Sequence, residues 1–238
     1  MDNYFITKAP FTREFKPSFL QKWIGKGLRF LKIGDLVPQL DTFRDMNSIE
    51  QRINYYHLIN RILAAKVDGD LVELGTFTGF SAMMFQKVLQ QNQSDKKLHL
   101  FDSFEVKFSE QGDIQDILRS NFSNAGLDLP MMHKGYFQDT LPTQLPAQIA
   151  FVHIDCGHGG DINAHRDIVI YCLEQVYAKM TKGAICLLMD YIDKNEHPKG
   201  LDCNPGVYLG ASSFLNDKPE KMVALYGKDY YHAYFQKI

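Results

Sequence analysis

Between Asp70 and Asp190 short apolar runs alternate with longer stretches of helical spacing, and this alternation constrains the chain more than any other feature. Strands that alternate with helices pair in parallel, because each helix carries the chain back across a sheet face before the next strand begins. The pattern predicts strands at 70–75, 98–102, 131–134, 149–155 and 184–190. Helices are expected at 79–90, 114–125, 161–180 and 207–215, and the runs 222–226 and 232–236 read as a closing β-hairpin. Upstream, Ser48 with Gln51 fits a capping box, and Ile53, Tyr56, Leu58, Ile59 and Ile62 form a helical stripe that ends before Asp68-Gly69. Pro17-Ser18 opens a further helix reaching about Leu31, and Gly34 and Pro38 break the stretch beyond it. A chain of 238 residues suits one α/β domain with an N-terminal extension.

Charge narrows the partners. With 26 Lys and Arg against 28 Asp and Glu, the chain has no electrostatic footprint for nucleic acid. No polybasic run points to a membrane surface, so a small molecule is the expected partner. No apolar run approaches the roughly 20 residues needed to span a bilayer. The N-terminus has no basic patch and apolar core of the signal-peptide kind. Cys156, Cys172, Cys186 and Cys203 show no Cys-x-x-Cys spacing, which argues against a zinc site or a thioredoxin-like motif. Three of the four lie in apolar surroundings, as buried thiols of a reducing compartment do, and a cytoplasmic location is expected.

Chemistry enters at 72–81, Val-Glu-Leu-Gly-Thr-Phe-Thr-Gly-Phe-Ser. An apolar strand ends in an acid and a glycine, and Gly79 opens the next helix. Such a turn lets backbone approach a ligand, and the helix N-terminus offers unpaired N–H groups to a carboxylate. An ordinary strand-to-helix turn uses the same residues. A second signal separates the two readings: Asp102 closes the next strand, 23 residues after Gly79, where a Rossmann-like fold places an acid against ribose hydroxyls. Together they favour a nucleoside cofactor.

Several segments, in order, resemble the macrocin O-methyltransferase family of class I S-adenosylmethionine-dependent methyltransferases, which modify sugars on antibiotics and related metabolites. They are Met46–Arg52, Glu73–Ser81, Phe101–Glu105, Gly135–Pro142, His153–Asp155, and Lys182-Gly183 leading to Met189-Asp190-Tyr191. The resemblance implies a Rossmann-like α/β sheet with helices on both faces, its seventh strand antiparallel, and a helical N-terminal lid. Residues 1–66 would form that extension and 67–238 the methyltransferase domain. Glu73, Gly75, Thr76, Phe77, Gly79, Ser81, Asp102, Ser103 and Asp139 would then hold S-adenosylmethionine, and Ser48 would belong to the lid.

Two departures bear on mechanism. The family's Asp-x-Asp after the fourth strand is Asp155-x-Gly157 here, and its Asp-Asp-Tyr after the fifth is Met189-Asp190-Tyr191. Asp155 and Asp190 remain as ligands for Mg²⁺, but a thioether replaces a hard oxygen donor. A hydroxyl acceptor must lose a proton as it attacks, and the candidate bases are Asp155 and His158, with His165 and Asp190 behind them. His158 equally suits a helix-capping role, and His165 suits a helix-surface pair with Asp161. The polar loop 197–202 lies where acceptors bind in this architecture, and the alternating aromatics Tyr230, Tyr231, Tyr234 and Phe235 suit core packing or a contact in a homo-oligomer. Two other functions stay in view. A nicotinamide oxidoreductase would need Tyr-x-x-x-Lys downstream of the glycine loop, whereas Tyr4 and Lys8 lie upstream. A cofactor-binding protein without catalysis, acting as a scaffold or partner subunit, would also fit the altered acids.

Overall fold

A computed structural model describes residues 18–32, 47–108, 110–157, 160–198, 202–227 and 231–238. Its centre is β1 (Asp70–Leu74), whose last four residues are buried between neighbours on both sides. β2 (Leu98–Asp102), β3 (Met131–Lys134), β4 (Ile149–Ile154) and β5 (Met180–Met189) join it in parallel. β6 (Val223–Leu225) and β7 (His232–Gln236) pair with each other, and β7 inserts antiparallel against β5. The order is β3-β2-β1-β4-β5-β7-β6. Strand order therefore reverses direction between β1 and β4, and an open α/β sheet forms its ligand crevice at that point, outside the carboxyl ends of the strands.

Seven helices accompany the sheet in the described residues: α1 (Phe19–Phe30), α2 (Ile49–Ala64), α3 (Phe80–Gln91), α4 (Ile114–Asn124), α5 (Phe137–Gln144), α6 (Ile162–Tyr177) and α7 (Pro205–Leu215). α2 starts at the expected capping box, where Ser48 Oγ accepts from Gln51 N and Gln51 Oε1 accepts from Ser48 N. Its apolar stripe does more than cover the site. Tyr55, Ile59 and Ile62 are wholly buried against α3, β4 and β5, so α2 is a layer of the core. Only its entrance, at Asn47, reaches the crevice.

Three expectations shift. α5 falls in a stretch with no predicted helix; it has eight residues, no side-chain cap and Pro142 inside, so its local signal is weak. α6 stops at Tyr177 and β5 starts at Met180, because Met180 pairs with Ile149 across a register shift that sequence spacing does not reveal. His165 leaves the helix surface: it is buried, with Nε2 2.6 Å from the carbonyl oxygen of Cys156. The carboxylate of Asp161, its expected partner, instead caps α6 by accepting from Ala164 N.

Candidate active site

A cavity of about 560 Å³ opens over the carboxyl ends of β1, β2, β4 and β5. Its floor is the turn after β1. Gly75 holds φ +85, and a Cβ there would overlap the carbonyl oxygen of Asp155, so only glycine lets β1 and β4 leave the sheet side by side. α3 starts with Gly79 as its N-cap, leaving no side chain over the first-turn N–H groups.

Asp102 ties this turn to β2. One carboxylate oxygen accepts from the N–H groups of Thr76 and Phe77, at 2.7 and 2.9 Å, and the other from Phe104 N at 2.7 Å. The carboxylate thus fixes the loop while facing the cavity. Phe77 and Phe108 meet edge to face at 5.0 Å and form an apolar wall with Val106 and Phe137. Phe77 and Phe108, which line the cavity, and Phe104 between Asp102 and Phe108 all have left-handed backbone, at φ +48, +45 and +56, a conformation uncommon for aromatic residues.

Two polar atoms beneath the turn lack partners among the described residues: Thr76 Oγ1 and Glu73 Oε2. Glu73 is fully buried; its other oxygen lies 2.5 Å from Ser81 Oγ and 2.8 Å from His153 Nδ1. Burial raises its pKa, opposed by the His153 and Ser81 hydrogen bonds.

Over β4 and β5 the cavity lining is acidic. Asp155 and Asp190 face the cavity with Asn47, Gly157 and Asn204. Asn204, just before α7, donates from Nδ2 to Asp190 Oδ2 at 2.6 Å. Asp190 itself has φ +57, which turns its carboxylate into the site from the end of β5. Burial, then the negative charges of Asp190 and Glu73, hold Asp155 well above the ordinary aspartate range. Burial raises Asp190 too.

Of the residues singled out from sequence, Gly75, Thr76, Phe77, Ser81, Asp102, Ser103, Asp155 and Asp190 line this one cavity. Glu73 lies beneath it, Gly79 caps the helix beside it, and for Asp139 the cavity wall is formed by its neighbours Phe137 and Gln138. His158, Tyr230 and part of the 197–202 loop fall outside the described residues. Sequence spacing does not single out Asn47 or Asn204 as site residues, although the Asn-Pro pair at 204–205 is a helix-start signal that marks the position.

The donor set does not fit Mg²⁺. Where a third acid is expected, Met189 turns its sulfur to Tyr55 Oη at 3.1 Å and Gln51 Nε2 at 3.7 Å. Among the described residues no group of three or more His, Cys, Asp or Glu side chains converges on a metal position. A nucleoside with a zwitterionic tail fits better: aromatic wall, positioned acid on β2, open helix N-terminus and two orphaned buried oxygens.

This sheet order, with its antiparallel seventh strand and its crevice at the β1/β4 reversal, defines the class I fold of S-adenosylmethionine-dependent methyltransferases. Solved structures agree. The O-methyltransferase NovP superposes with a TM-score of 0.63 at 21% identity, covering 79% of this chain and 80% of that one. TomG from Streptomyces achromogenes, an O-methyltransferase of tomaymycin synthesis in complex with SAM, has a TM-score of 0.56 at 16% identity, covering 99% and 95%. Residues 72–191, half of the sequence, match the family profile described as a methyltransferase domain, and the chain belongs to that family. It is also 24% identical over 168 residues to the 8-demethyl-8-(2,3-dimethoxy-alpha-L-rhamnosyl)-tetracenomycin-C 4'-O-methyltransferase of Streptomyces olivaceus, covering 61% of this chain and 62% of that enzyme, under two thirds of its length. In the described residues no helix is long and apolar enough to cross a membrane.

Proposed function

We propose that this protein methylates a hydroxyl group of a sugar or similarly hydroxylated small metabolite, with Asp155 as the base that receives the hydroxyl proton. One observation carries the reading: the Asp102-anchored turn after β1 and the Asp155 carboxylate after the neighbouring β4 line one and the same cavity. S-adenosylmethionine, when bound, supplies an electrophilic methyl group on sulfur.

The residues of the chain do the rest. Asp102 accepts from ribose hydroxyls while keeping the turn closed, and the α3 N-terminus and Thr76 receive the polar tail. Phe77 and Phe108 cover the base and exclude water. Asn204 holds the Asp190 carboxylate in place, and burial together with that charge raises the Asp155 pKa, which favours its taking up a proton. Asp155 would receive, on a carboxylate oxygen, the proton that the acceptor oxygen loses as it takes the methyl, while the carbon–sulfur bond breaks and leaves a neutral thioether. No step needs a cation. Asn47, at the entrance of α2, closes one side of the cavity and has the position of a lid residue. The sugar is suggested by the Streptomyces olivaceus relative, whose acceptor is a rhamnosyl group.

The test pairs calorimetry with turnover. Wild type should bind S-adenosylhomocysteine and methylate some member of a panel of glycosides and phenols, equally with Mg²⁺ or EDTA. Asp155→Asn should bind the same ligand while losing at least a hundredfold in kcat. Absence of binding to both forms of the cofactor refutes the site; an Asp155→Asn variant with full turnover refutes the base.

A further inference from the structure

α1 is built the wrong way round for a helix that packs on a core. At 100° per residue, Phe19, Phe30, Trp23, Gly27, Leu20, Leu31 and Ile24 fall in order across an arc of about 140°. Arg29 and Lys22 lie outside this arc, Lys26 stands at its border, Lys32 follows the helix end, and no acid stands anywhere from 18 to 32. The apolar arc faces solvent: Phe30 is 88% exposed, Phe19 79%, Leu20 68% and Trp23 60%. Gly25, on the basic side, is the buried residue of the helix. A complete capping box at Ser18 and Gln21 fixes the start of α1.

The charge of the chain is partitioned in the same sense. Residues 1–34 carry seven Lys and Arg against two Asp and Glu, a net +5, whereas the remaining 204 carry 19 against 26, a net −7. The near-zero total hides this split, and Lys22, Lys26 and Arg29 are spaced along α1 rather than run together.

We propose that α1 is an interfacial helix that seats this methyltransferase on an anionic lipid bilayer. Its 12 residues span roughly 18 Å, too short to cross a bilayer, so it lies in the headgroup plane with the aromatic arc in the acyl boundary. Lys26, its ammonium 5.8 Å from the Trp23 ring, marks the edge where the apolar arc meets the phosphates. The lysine and arginine arc supplies the attraction that the acidic remainder of the chain lacks. Seated in this way, the site would work beside a membrane, where an amphipathic acceptor concentrates.

Trp23 is the single tryptophan of the chain, so tryptophan emission reports on α1 alone. The full chain is titrated with vesicles of 30% phosphatidylglycerol in phosphatidylcholine, and with pure phosphatidylcholine. The expected result is a blue shift and co-sedimentation with the anionic vesicles only, reversed by high salt. Lys22→Gln with Lys26→Gln, which keeps the probe and touches no site residue, should weaken partitioning by roughly 25-fold, about fivefold per charge removed. Unchanged binding of S-adenosylhomocysteine by this variant verifies its fold. Three results overturn the proposal. They are a blue shift that grows with protein concentration without lipid, which assigns the face to a second copy; a lipid-free shift on adding S-adenosylhomocysteine, which assigns it to the chain's own cavity; and no shift with anionic vesicles.

Discussion

His232 joins the C-terminal hairpin to α2, and its geometry requires a neutral ring. It is wholly buried, under the edge of Tyr55, and its Nε2 lies 3.0 Å from Asn54 Nδ2. The same Asn54 amide donates to the carbonyl oxygen of Tyr226 at 3.0 Å, which fixes its NH₂ toward the hairpin. Nε2 must therefore accept, and a proton there would set donor against donor. Burial accordingly lowers the His232 pKa from 6.5 to about 3. A folded pKa below the unfolded one means that the unfolded chain takes the proton first. Stability is complete above pH 6.5 and is lost as pH falls from there toward 3. Between pH 7 and pH 5 this one ring should cost about 2 kcal/mol, the linkage value for an unfolded pKa of 6.5 and no protonation in the folded state. Urea unfolding at the two pH values measures it. His232→Leu lowers stability at both, since Asn54 loses an acceptor, but the loss on going from pH 7 to pH 5 should shrink by about 2 kcal/mol relative to wild type. A variant whose pH dependence matches wild type would show that the ring titrates as freely folded as unfolded, and the reasoning would be wrong.

Three further outcomes derive from the site. Gly75→Ala sets a Cβ into the backbone of Asp155 at a positive φ, and should destabilise by about 3 kcal/mol or more; a melting temperature within a degree or two of wild type would contradict it. Asp102→Asn replaces an acceptor of three backbone N–H groups with an amide that can face only some of them. Binding of S-adenosylhomocysteine by calorimetry should weaken at least tenfold. Asp190→Asn removes a negative neighbour that raises Asp155, so the acid limb of kcat/KM against pH should move to lower pH; a limb that stays in place would mean Asp155 is not the base being observed.

How far the sequence reaches depends on how local each cause is. The turn 72–81 and the Ser48 capping box are legible because Gly, Thr, Ser and Gln act on their own neighbours, and the structure places both as expected. The closing hairpin is legible as two strands. Its insertion between β5 and the sheet edge comes only with the family resemblance, because pairing partners 40 or more residues apart leave no periodicity. His165 shows the opposite case. Spacing from Asp161 suggests a surface pair, but Asp161 is spent as an N-cap and the imidazole turns under the β4 exit. Asn204 belongs to the site only because α7 starts beside β5, a tertiary fact.

The two altered acids acquire a common explanation from the packing around them. At 157, φ is +86 and a Cβ would stand 2.8 Å from His165 Cδ2, so an aspartate there requires His165 to leave the position where it meets the Cys156 carbonyl. At 189, the sulfur meets Tyr55 and Gln51 of α2, and a carboxylate there would stand beside Tyr55, whose hydroxyl pKa is already raised by burial and by the charges of Asp155, Glu73 and Asp190. Each change removes a negative charge that a bound cation would otherwise have to neutralise, and each vacated volume is filled by the chain itself. There remains one pair of carboxylates, of which Asp190 is held by Asn204 and Asp155 is left to face the cavity. With a thioether in place of one hard donor the site offers Mg²⁺ two aspartates, Asp155 and Asp190, and the same burial and neighbouring charge that raise the Asp155 pKa favour its protonated form.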